Sequence, residues 1–399
     1  MLHIQDPFER RLVSTADAAL RIATIVRRSR AAGAIRRVLL LRLERIGDLV
    51  MALPAIRDVR ALAPDAQIDL AVGSWNASLA RTIPTVDRVE TLDASWLARE
   101  EPGVPLRRLL GDAWGWRSRR YDLAINFEPD IRSNMILAAA GAGFSAGWCS
   151  GGGGPLLDLA LAYDPSAHTT ANARRLIAET FGRRPPDSAR PLIVIPDAAA
   201  AAAADRLRPT RSGPFDSAQG RPMIGVHVSG GRPIKQWEPA RFAEVARRVA
   251  DQWGATVVAT GGAGDRPLVD ALRRALAPRT VIDASGTGEV VDAAAVLARL
   301  DLLVTGDTGP MHLASAVGTP VVAVFGPSDP ARYMTTGPLD RIVRVDLPCS
   351  TCNRIRRPPA RCSGHTPDCL AAVTVDAVYD AISAVLEESR ARVPRAGRS

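Results

Sequence analysis

The chain has 399 residues, a hydrophobic content of 47% and a formal net charge of +9. This length exceeds that of one usual α/β domain, and the apolar content is ample for two cores, so we expect two domains. No run of about twenty uninterrupted apolar residues occurs, which argues against a transmembrane helix. The high isoelectric point, about 10.1, favours an anionic partner such as nucleic acid, a phospholipid surface or a phosphorylated substrate.

Residues 1–36 are predicted to be a basic N-terminal extension with an amphipathic helix. Ser14 and Asp17 resemble a capping box. The apolar stripe is Ala18, Ile22, Ile25 and Val26, beside Arg21, Arg27, Arg28 and Arg30. Such a helix could lie on an anionic membrane or pack on its own domain with a solvated basic face, and we prefer the second reading. Charged residues stand where a signal peptide needs an apolar core, so we expect a cytoplasmic protein, peripheral at most at the inner face of the cytoplasmic membrane.

Residues 37–185 are predicted to form a first Rossmann-like domain. A buried strand at 38–43 is followed by a polar loop at 44–48, a helix and a second strand at 68–72. Pro54 is tolerable in this helix only if it lies in the opening turns. Asp48 opens the helix, so it either caps the helix or directs a carboxylate into a crevice at the edge of the sheet.

A later strand at 121–127 ends at the same expected edge, where several polar residues follow it. These residues are Glu128, Asp130, Arg132 and Ser133. The glycine-rich run at 150–155 lacks a strand-to-helix context and predicts a mobile loop, and residues 171–181 predict a helix. Residues 186–222 are predicted to be the linker; within them the alanine run at 198–204 starts a helix and residues 209–222 form an exposed inserted loop.

The second Rossmann-like domain is predicted at 223–372. Its first strand, at 223–228, leads into a glycine-bearing turn that contains Ser229, Gly230 and Lys235. Lys235 is the only lysine among 51 basic residues, and arginine cannot imitate its compact ammonium. The presence of this single lysine therefore reflects either chance or a requirement for a point charge beside an anion. A strand at 256–260 ends in the loop 261–265, where Gly261 and Asp265 could accept a nucleotide, although one glycine loop is a weak signal.

Residues 301–326 predict a βαβ unit with strands at 302–305 and 321–325. A polar loop follows the first strand, at the edge where ligands of open α/β sheets bind. Its candidate binding residues are Asp307, Thr308, Gly309, Pro310, Met311 and His312. The alternative is that Asp307 merely caps the helix and that His312 lies on its flank. A last helix is predicted at 373–386, within a C-terminal crossover helix and tail at 373–399.

Three motifs in this order resemble the heptosyltransferase-type enzymes of glycosyltransferase family 9. They are R-x-x-x-I-G-D ending at Asp48, S-G-G-x-x-x-K-x-W around Lys235, and D-T-G-P-M-H-L-A-S-A-x-G-x-P from Asp307. The resemblance implies an α/β, GT-B fold, in which two Rossmann-like doubly wound domains face a central cleft. It also implies an inverting transferase that needs no metal or other cofactor, with an ADP-sugar donor and a phosphorylated glycolipid acceptor of the lipopolysaccharide core or a related glycan.

By matching position, the resemblance implies that Asp48 is the general base and that Lys235 contacts the donor phosphate and sugar. Asp307 would hold the donor sugar, and Thr308, Gly309 and His312 would contact the diphosphate and nucleotide. The assignment of Asp265 to the nucleotide ribose rests on a weaker match of position. On the acceptor side we assign Arg45, Gly47, Glu128 and Arg132, where the arginines could meet acceptor phosphates or be ordinary surface residues.

The cysteine cluster has the pattern Cys349-x₂-Cys352-x₉-Cys362-x₂-His365-x₃-Cys369. The first pair has zinc-knuckle spacing, so Cys349, Cys352, Cys362 and Cys369 are assigned to a structural zinc site, with reduced or partly disulfide-linked cysteines as the alternative.

Alternative functions are a GT-B transferase with another nucleotide-sugar and acceptor, or a non-catalytic nucleotide-binding scaffold. A dehydrogenase is disfavoured because neither domain presents G-x-G-x-x-G followed by an acidic residue. Only bulk charge favours nucleic-acid binding, so no specific nucleic acid is expected.

Overall fold

The computed structural model describes Leu2, Ile4 and residues 6–24, 34–97, 103–186, 191–208, 221–286, 288–355 and 357–392. Parts of three predicted features lie outside these residues. They are the N-terminal positions Ile25, Val26, Arg27, Arg28 and Arg30, the inserted loop at 209–220, and the tail at 393–399. Contacts within the chain separate two compact units, Met1–Val194 and Ile195–Ser399.

The first unit alternates strands and helices. Its helices are α1 (Pro7–Thr24), α2 (Ile46–Leu62), α3 (Ala77–Ala80), α4 (Leu106–Gly115), α5 (Ile131–Ala140) and α6 (Thr169–Phe181). Its strands are β1 (Arg37–Arg42), β2 (Gln67–Val72), β3 (Arg88–Thr91), β4 (Leu123–Asn126), β5 (Phe144–Trp148) and β6 (Leu159–Leu161).

These strands form one parallel sheet in the order β3-β2-β1-β4-β5-β6. In the register of β1, Arg37 pairs with Gln67 of β2, and Val38 pairs with Leu123 of β4. The chain runs outward from β1 to β3 and then returns to β4 on the other side of β1. The strand order therefore reverses between β1 and β4, and ligands of such sheets bind beyond the carboxyl ends of these two strands.

The continuous apolar run predicted at 38–43 occupies the centre of this sheet because both of its faces are covered. Leu39, Leu40 and Leu41 are fully buried, as expected for an inner strand of a parallel sheet that carries helices on both sides. Helices α2 and α6 pack on each other in the same unit.

The second unit repeats the pattern. Its helices are α7 (Asp197–Arg206), α8 (Pro239–Trp253), α9 (Arg266–Leu276), α10 (Val290–Leu297), α11 (Gly309–Ala316), α12 (Pro330–Tyr333), α13 (Asp368–Ala371) and α14 (Val375–Arg392). Its strands are β7 (Met223–His227), β8 (Thr256–Thr260), β9 (Ile282–Asp283), β10 (Leu302–Gly306), β11 (Val321–Val324) and β12 (Arg341–Val343).

The second sheet is also parallel and has the order β12-β11-β10-β7-β8-β9, so its strand order reverses between β7 and β10. Each unit is thus Rossmann-like and doubly wound, which confirms the predicted α/β fold class. Helix α7, formed by the predicted alanine run, packs on α10, and Arg206 donates to the carbonyl oxygen of Ser285. Helix α14 packs on α8, β11 and β12 of its own unit; its predicted crossover to the first domain stays a prediction.

Two details of the predicted helices are wrong. Helix α1 begins at Pro7, because the Asp6 carboxylate accepts from the amides of Phe8 and Glu9, whereas Ser14 lies inside the helix and donates to the carbonyl of Arg10. Pro54 lies in the interior of α2 rather than in its opening turns. The buried face of α2 supplies packing energy that offsets the cost of an interior proline, about 3 kcal/mol.

The glycine-rich run at 150–155, predicted as a mobile loop, is packed against two helices. The Asn134 side chain on α5 donates to the carbonyl of Gly152, and the Asp17 carboxylate on α1 accepts from the amide of Gly153 at 2.6 Å. A Cβ on Gly152 would lie 2.2 Å from Cγ1 of Val13. Glycine is therefore needed here for close approach to α1, in addition to its positive φ of 92°.

Candidate active site

The centre of the candidate site in the second unit is an ion pair between Lys235 and Asp307. The two atoms Nζ and Oδ2 are 2.7 Å apart, and the side chains are 19% and 9% exposed. Lys235 follows β7 and Asp307 follows β10, so the pair lies at the switch point of the sheet. Asp307 does not cap the following helix, since the N-cap of α11 is Thr308. The alternative reading of Asp307 as a simple cap is therefore wrong.

The turn that carries Lys235 is compact and fixed at both ends. A Cβ on Gly230 would lie 2.6 Å from the amide nitrogen of Gln236, so only glycine lets the turn fold back so closely. The Ser229 hydroxyl accepts from the amide of Gly231. At the other end, Trp237 is buried, and its indole N–H donates to the carbonyl of Val373. These contacts hold the lysine in position over the edge of the sheet.

The N-terminus of α11 adds a second positive feature beside this pair. The backbone of Thr308 is extended, and its hydroxyl lies 3.1 Å from that of Thr305. The first amides of an α-helix have no partner within the helix and favour negative charge. Here Gly309 and Met311 contribute such amides, whereas Pro310 has no N–H and the side chain of His312 is buried. The side chain of Met311 is fully buried, so only its backbone is suited to ligand contact.

The loop after β8 is held by its own carboxylate. The Asp265 Oδ2 atom accepts from the amide of Gly262 at 2.8 Å, and a Cβ on Gly261 would lie 2.9 Å from Cβ of Asp265. His227, at the end of β7, is buried, and burial lowers its pKa below the usual 6.5 although the charge of Asp265 opposes this shift. The imidazole is thus neutral near pH 7.

In the first unit, Asp48 lies in the opening turn of α2 and is tied to a buried arginine. Its Oδ1 atom is 3.3 Å from a guanidinium nitrogen of Arg42, and its Oδ2 atom accepts from the amide of Arg45. Asp48 is the third residue of the helix rather than its N-cap, but its bond to the N-cap amide of Arg45 belongs to a capping box, so the capping alternative is confirmed in part. The carboxylate keeps 31% of its surface exposed. A held but accessible carboxylate at the switch point is suited to accept a proton from a ligand.

Glu128, predicted to contact an acceptor, is instead a buried support of the Asp48 loop. It is 2% exposed, and its Oε1 atom accepts from the amides of Leu43 and Glu44. Burial, and then the Glu44 carboxylate, raise the pKa of Glu128 to about 8, although Arg42 opposes the shift. Glu128 is buried, and its Oε1 atom is already bonded to two amides of the chain. Direct contact with an acceptor is therefore contradicted.

Arg42 connects these carboxylates. It is 4% exposed, donates to the carbonyl of Phe127, and forms an ion pair with Glu44 at 2.9 Å. Burial alone would lower its pKa, but the charges of Glu44, Asp48 and Glu128 outweigh this effect and raise the pKa of Arg42 above its usual value. In the sequence, Arg42 is only the first residue of the motif that ends at Asp48. A charged residue inside a buried apolar strand was the signal that could have identified it.

The predicted acceptor residues Arg45 and Arg132 both pack on tryptophans. The guanidinium carbon of Arg45 lies 5.5 Å from the ring centre of Trp75, and that of Arg132 lies 4.4 Å from the ring centre of Trp96. Arg132 also forms a two-point pair with Asp130. These aromatic contacts were missed in the sequence because they join residues far apart along the chain. The remaining candidate, Gly47, is buried in the first turn of α2.

The structure does not form the predicted zinc ligand set. In the described parts of the chain, no three His, Cys, Asp or Glu side chains are grouped so that they could hold a metal ion. All five cysteines are free thiols. Burial, followed by the charge of the nearby Cys352, raises the pKa of Cys369 to about 11.

Known sugar transferases are similar to this chain in sequence. The model of glycosyltransferase family 9 (heptosyltransferase) matches residues 115–360. Lipopolysaccharide heptosyltransferase 2 of Escherichia coli K12 is 26% identical over 355 residues, which cover 87% of this chain and 97% of that protein.

Two solved structures have the same fold. The E. coli ADP-heptose LPS heptosyltransferase II superposes with a TM-score of 0.71 and 21% identity, covering 89% of this chain and 99% of the other. The E. coli heptosyltransferase WaaC with ADP-2-deoxy-2-fluoro heptose superposes with a TM-score of 0.61 and 19% identity, covering 87% of this chain and 99% of the other.

Two Rossmann-like units with polar loops at their switch points define the GT-B class of sugar transferases. Because the family model covers more than half of its length, the chain belongs to glycosyltransferase family 9. It is a glycosyltransferase of the heptosyltransferase type. No helix in the described residues is long and apolar enough to cross a membrane.

Proposed function

We propose that this enzyme transfers a heptose from an ADP-heptose donor to a sugar of the lipopolysaccharide core or a related glycan, with inversion and without a metal ion. The observation that carries this proposal is the Lys235–Asp307 pair at the switch point of the second sheet, beside the N-terminus of α11. The names of the similar proteins, which include ADP-heptose and lipopolysaccharide, support the choice of donor and acceptor.

The second unit is suited to hold the donor. Negative charge grows on the departing nucleoside diphosphate, and an ammonium and helix-start amides that are already oriented can stabilise it without reorganisation. Lys235 supplies the ammonium, while Gly309 and Met311 supply amides. Asp307 keeps the ammonium in place and is positioned to accept from hydroxyl groups of the donor sugar. These groups do the work that a divalent cation does in other sugar transferases, so no metal is required.

The first unit is suited to activate the acceptor. A sugar hydroxyl is a poor nucleophile, and a carboxylate that removes its proton in the transition state contributes about 10²–10⁴-fold in rate. Asp48 takes this role: it accepts the hydroxyl proton while the hydroxyl oxygen bonds to the anomeric carbon and the bond from that carbon to the diphosphate oxygen breaks. A single displacement of this kind inverts the anomeric carbon.

Arg45 and Arg132 are suited to bind phosphate groups on the acceptor. Each guanidinium lies on an indole ring, which holds it in place. An acceptor phosphate would replace Asp130 as the two-point partner of Arg132. A phosphorylated glycolipid acceptor would place the enzyme at the cytoplasmic face of the inner membrane.

The experiment that tests this function measures nucleoside diphosphate release from ADP-heptose and from UDP-sugars, with a phosphorylated core acceptor and with EDTA present. We expect release from ADP-heptose only, dependent on acceptor and unaffected by EDTA. Release from a UDP-sugar alone would indicate a GT-B transferase with another donor. Donor binding with no turnover on any acceptor would indicate a nucleotide-binding scaffold.

A further inference from the structure

Helix α1 is not needed for the Rossmann-like fold, yet it is held in a defined orientation on the first unit. The Asp17 carboxylate accepts from the amide of Gly153 at 2.6 Å, and Val13 is 9% exposed against Gly152. The helix also contacts the turn Gly154–Leu156. One face of α1 is therefore fixed to the protein, and this determines which residues point outward.

The opposite face of α1 carries three large apolar side chains in water. Phe8, Leu12 and Ile22 are 71%, 56% and 75% exposed. At about 100° per residue they fall within one stripe together with Ala19, roughly opposite Val13. Only two other large apolar residues in the described chain, Trp114 and Val194, are comparably exposed. Such a concentration on one helix face indicates an interaction surface.

One arginine borders this stripe, and two more lie further round the helix. Arg11 lies beside the stripe, whereas Arg10 and Arg21 lie close to Asp17, towards the face fixed to the protein; all three are exposed. The exposed Glu9 lies beyond the other edge of the stripe. Long arginine side chains can lay their apolar stems along a membrane surface and keep their charged ends at the phosphate groups. An apolar stripe with an arginine flank is the arrangement of a helix that lies in the interface of an anionic bilayer.

We propose that α1 is the membrane-docking surface of this enzyme, with Phe8, Leu12 and Ile22 inserted among the acyl chains of an anionic bilayer. This proposal rests on the proposed function, since docking on a membrane is useful to an enzyme whose glycolipid acceptor lies there. It changes the preferred sequence-based reading: α1 does pack on its own domain, but its apolar face points outward.

A second copy of the chain fits this surface less well. Three side chains of this size expose on the order of a few hundred Å². A stable protein interface buries roughly 800 Å² per partner. Two copies paired through this stripe would also bring their arginines together, whereas an anionic bilayer carries the complementary charge.

The test is sedimentation of the full chain with vesicles of phosphatidylethanolamine and phosphatidylglycerol, compared with vesicles of phosphatidylcholine alone. We expect the full chain to bind the anionic vesicles. Its binding to phosphatidylcholine vesicles should be at least about tenfold weaker. The triple variant Phe8→Ser, Leu12→Ser, Ile22→Ser and the double variant Arg10→Glu, Arg11→Glu should each weaken binding to anionic vesicles at least about tenfold.

The matched control is the double variant Arg274→Glu, Arg299→Glu, which makes the same charge change on exposed residues of the second unit and should bind nearly as wild type. Equal binding by the wild type and the triple variant would overturn the proposal. The proposal would also be overturned if light scattering without lipid showed that the wild type is a dimer and the triple variant a monomer. Transfer to a water-soluble, lipid-free acceptor should be unchanged in the triple variant, which separates loss of docking from failure of the proposed function.

Discussion

The ammonium of Lys235 lies 2.7 Å from the Asp307 carboxylate at the point where the strand order of the second sheet reverses. Both side chains are largely removed from water, so each depends on the other for charge compensation. Removal of either partner leaves a buried charge that must find another counterion. A bound diphosphate supplies that counterion for Lys235, which couples the pair to donor binding.

Lys235→Ala should lower kcat/KM about 10²–10³-fold, because it removes a preorganised positive charge from the departing diphosphate. Lys235→Arg should recover little of this loss, since a planar guanidinium cannot take the place of a compact ammonium paired with Asp307. Steady-state kinetics with ADP-heptose measure both effects. The control is Arg232→Ala, an exposed position in the same turn, which should remain close to wild type. Full activity of the arginine variant would show that the chain's one lysine has no special role.

Gly230→Ala should displace the turn that carries Lys235. The new methyl group would lie 2.6 Å from the amide nitrogen of Gln236, a distance that the backbone must relieve by moving. We expect a loss of about 1–3 kcal/mol in the free energy of unfolding and a weaker affinity for ADP. Gly264→Ala is the control, because nothing lies within 4 Å of its added Cβ. Identical ADP affinity and stability of the two variants would argue against a constrained turn.

Glu128 should make the protein less stable as the pH rises. Its pKa is about 8 in the folded protein and 4.5 in the reference state. A carboxyl with a raised folded pKa contributes stability that is fully present below the unfolded value and lost as the pH rises through the folded value. Between pH 6 and pH 9 the loss should be on the order of 2 kcal/mol. Glu128→Gln keeps an acceptor for the amides of Leu43 and Glu44 and should reduce this loss, as measured by urea unfolding. An equally steep decline in the variant would mean that another group titrates.

Strands β1, β2, β4, β7, β8, β10 and β11 were predictable because they are apolar runs that end in polar loops, whereas β3, β5, β6 and β12 were not predicted. The run at 38–43 and the unit at 301–326 have a hydrophobic period and boundary residues that do not depend on distant contacts. Pro54 was misjudged because the packing of α2 outweighs the local preference of proline. The orientation of α1 was not predictable, since it depends on Asp17 and Val13 meeting a glycine run far along the chain.

Within the site, the sequence indicated the residues but not their pairing. Spacing shows that Lys235 and Asp307 each follow a strand, and neighbouring parallel strands bring such loops together. Glu128 follows a strand as well, but whether such a carboxylate faces ligand or backbone depends on the shape of the loop from Leu43 to Asp48. The four cysteines have metal-like spacing, and spacing alone does not fix the distances between their sulfur atoms.

The most direct test of the account is the turnover of Asp48→Asn with ADP-heptose and a phosphorylated core acceptor, measured together with its ADP affinity. Asparagine keeps an oxygen to accept from the amide of Arg45, so the loop should keep its shape. We predict that kcat falls about 10²–10⁴-fold while the dissociation constant for ADP changes less than about twofold. Turnover of Asp48→Asn close to that of the wild type would contradict the assignment of Asp48 as the base.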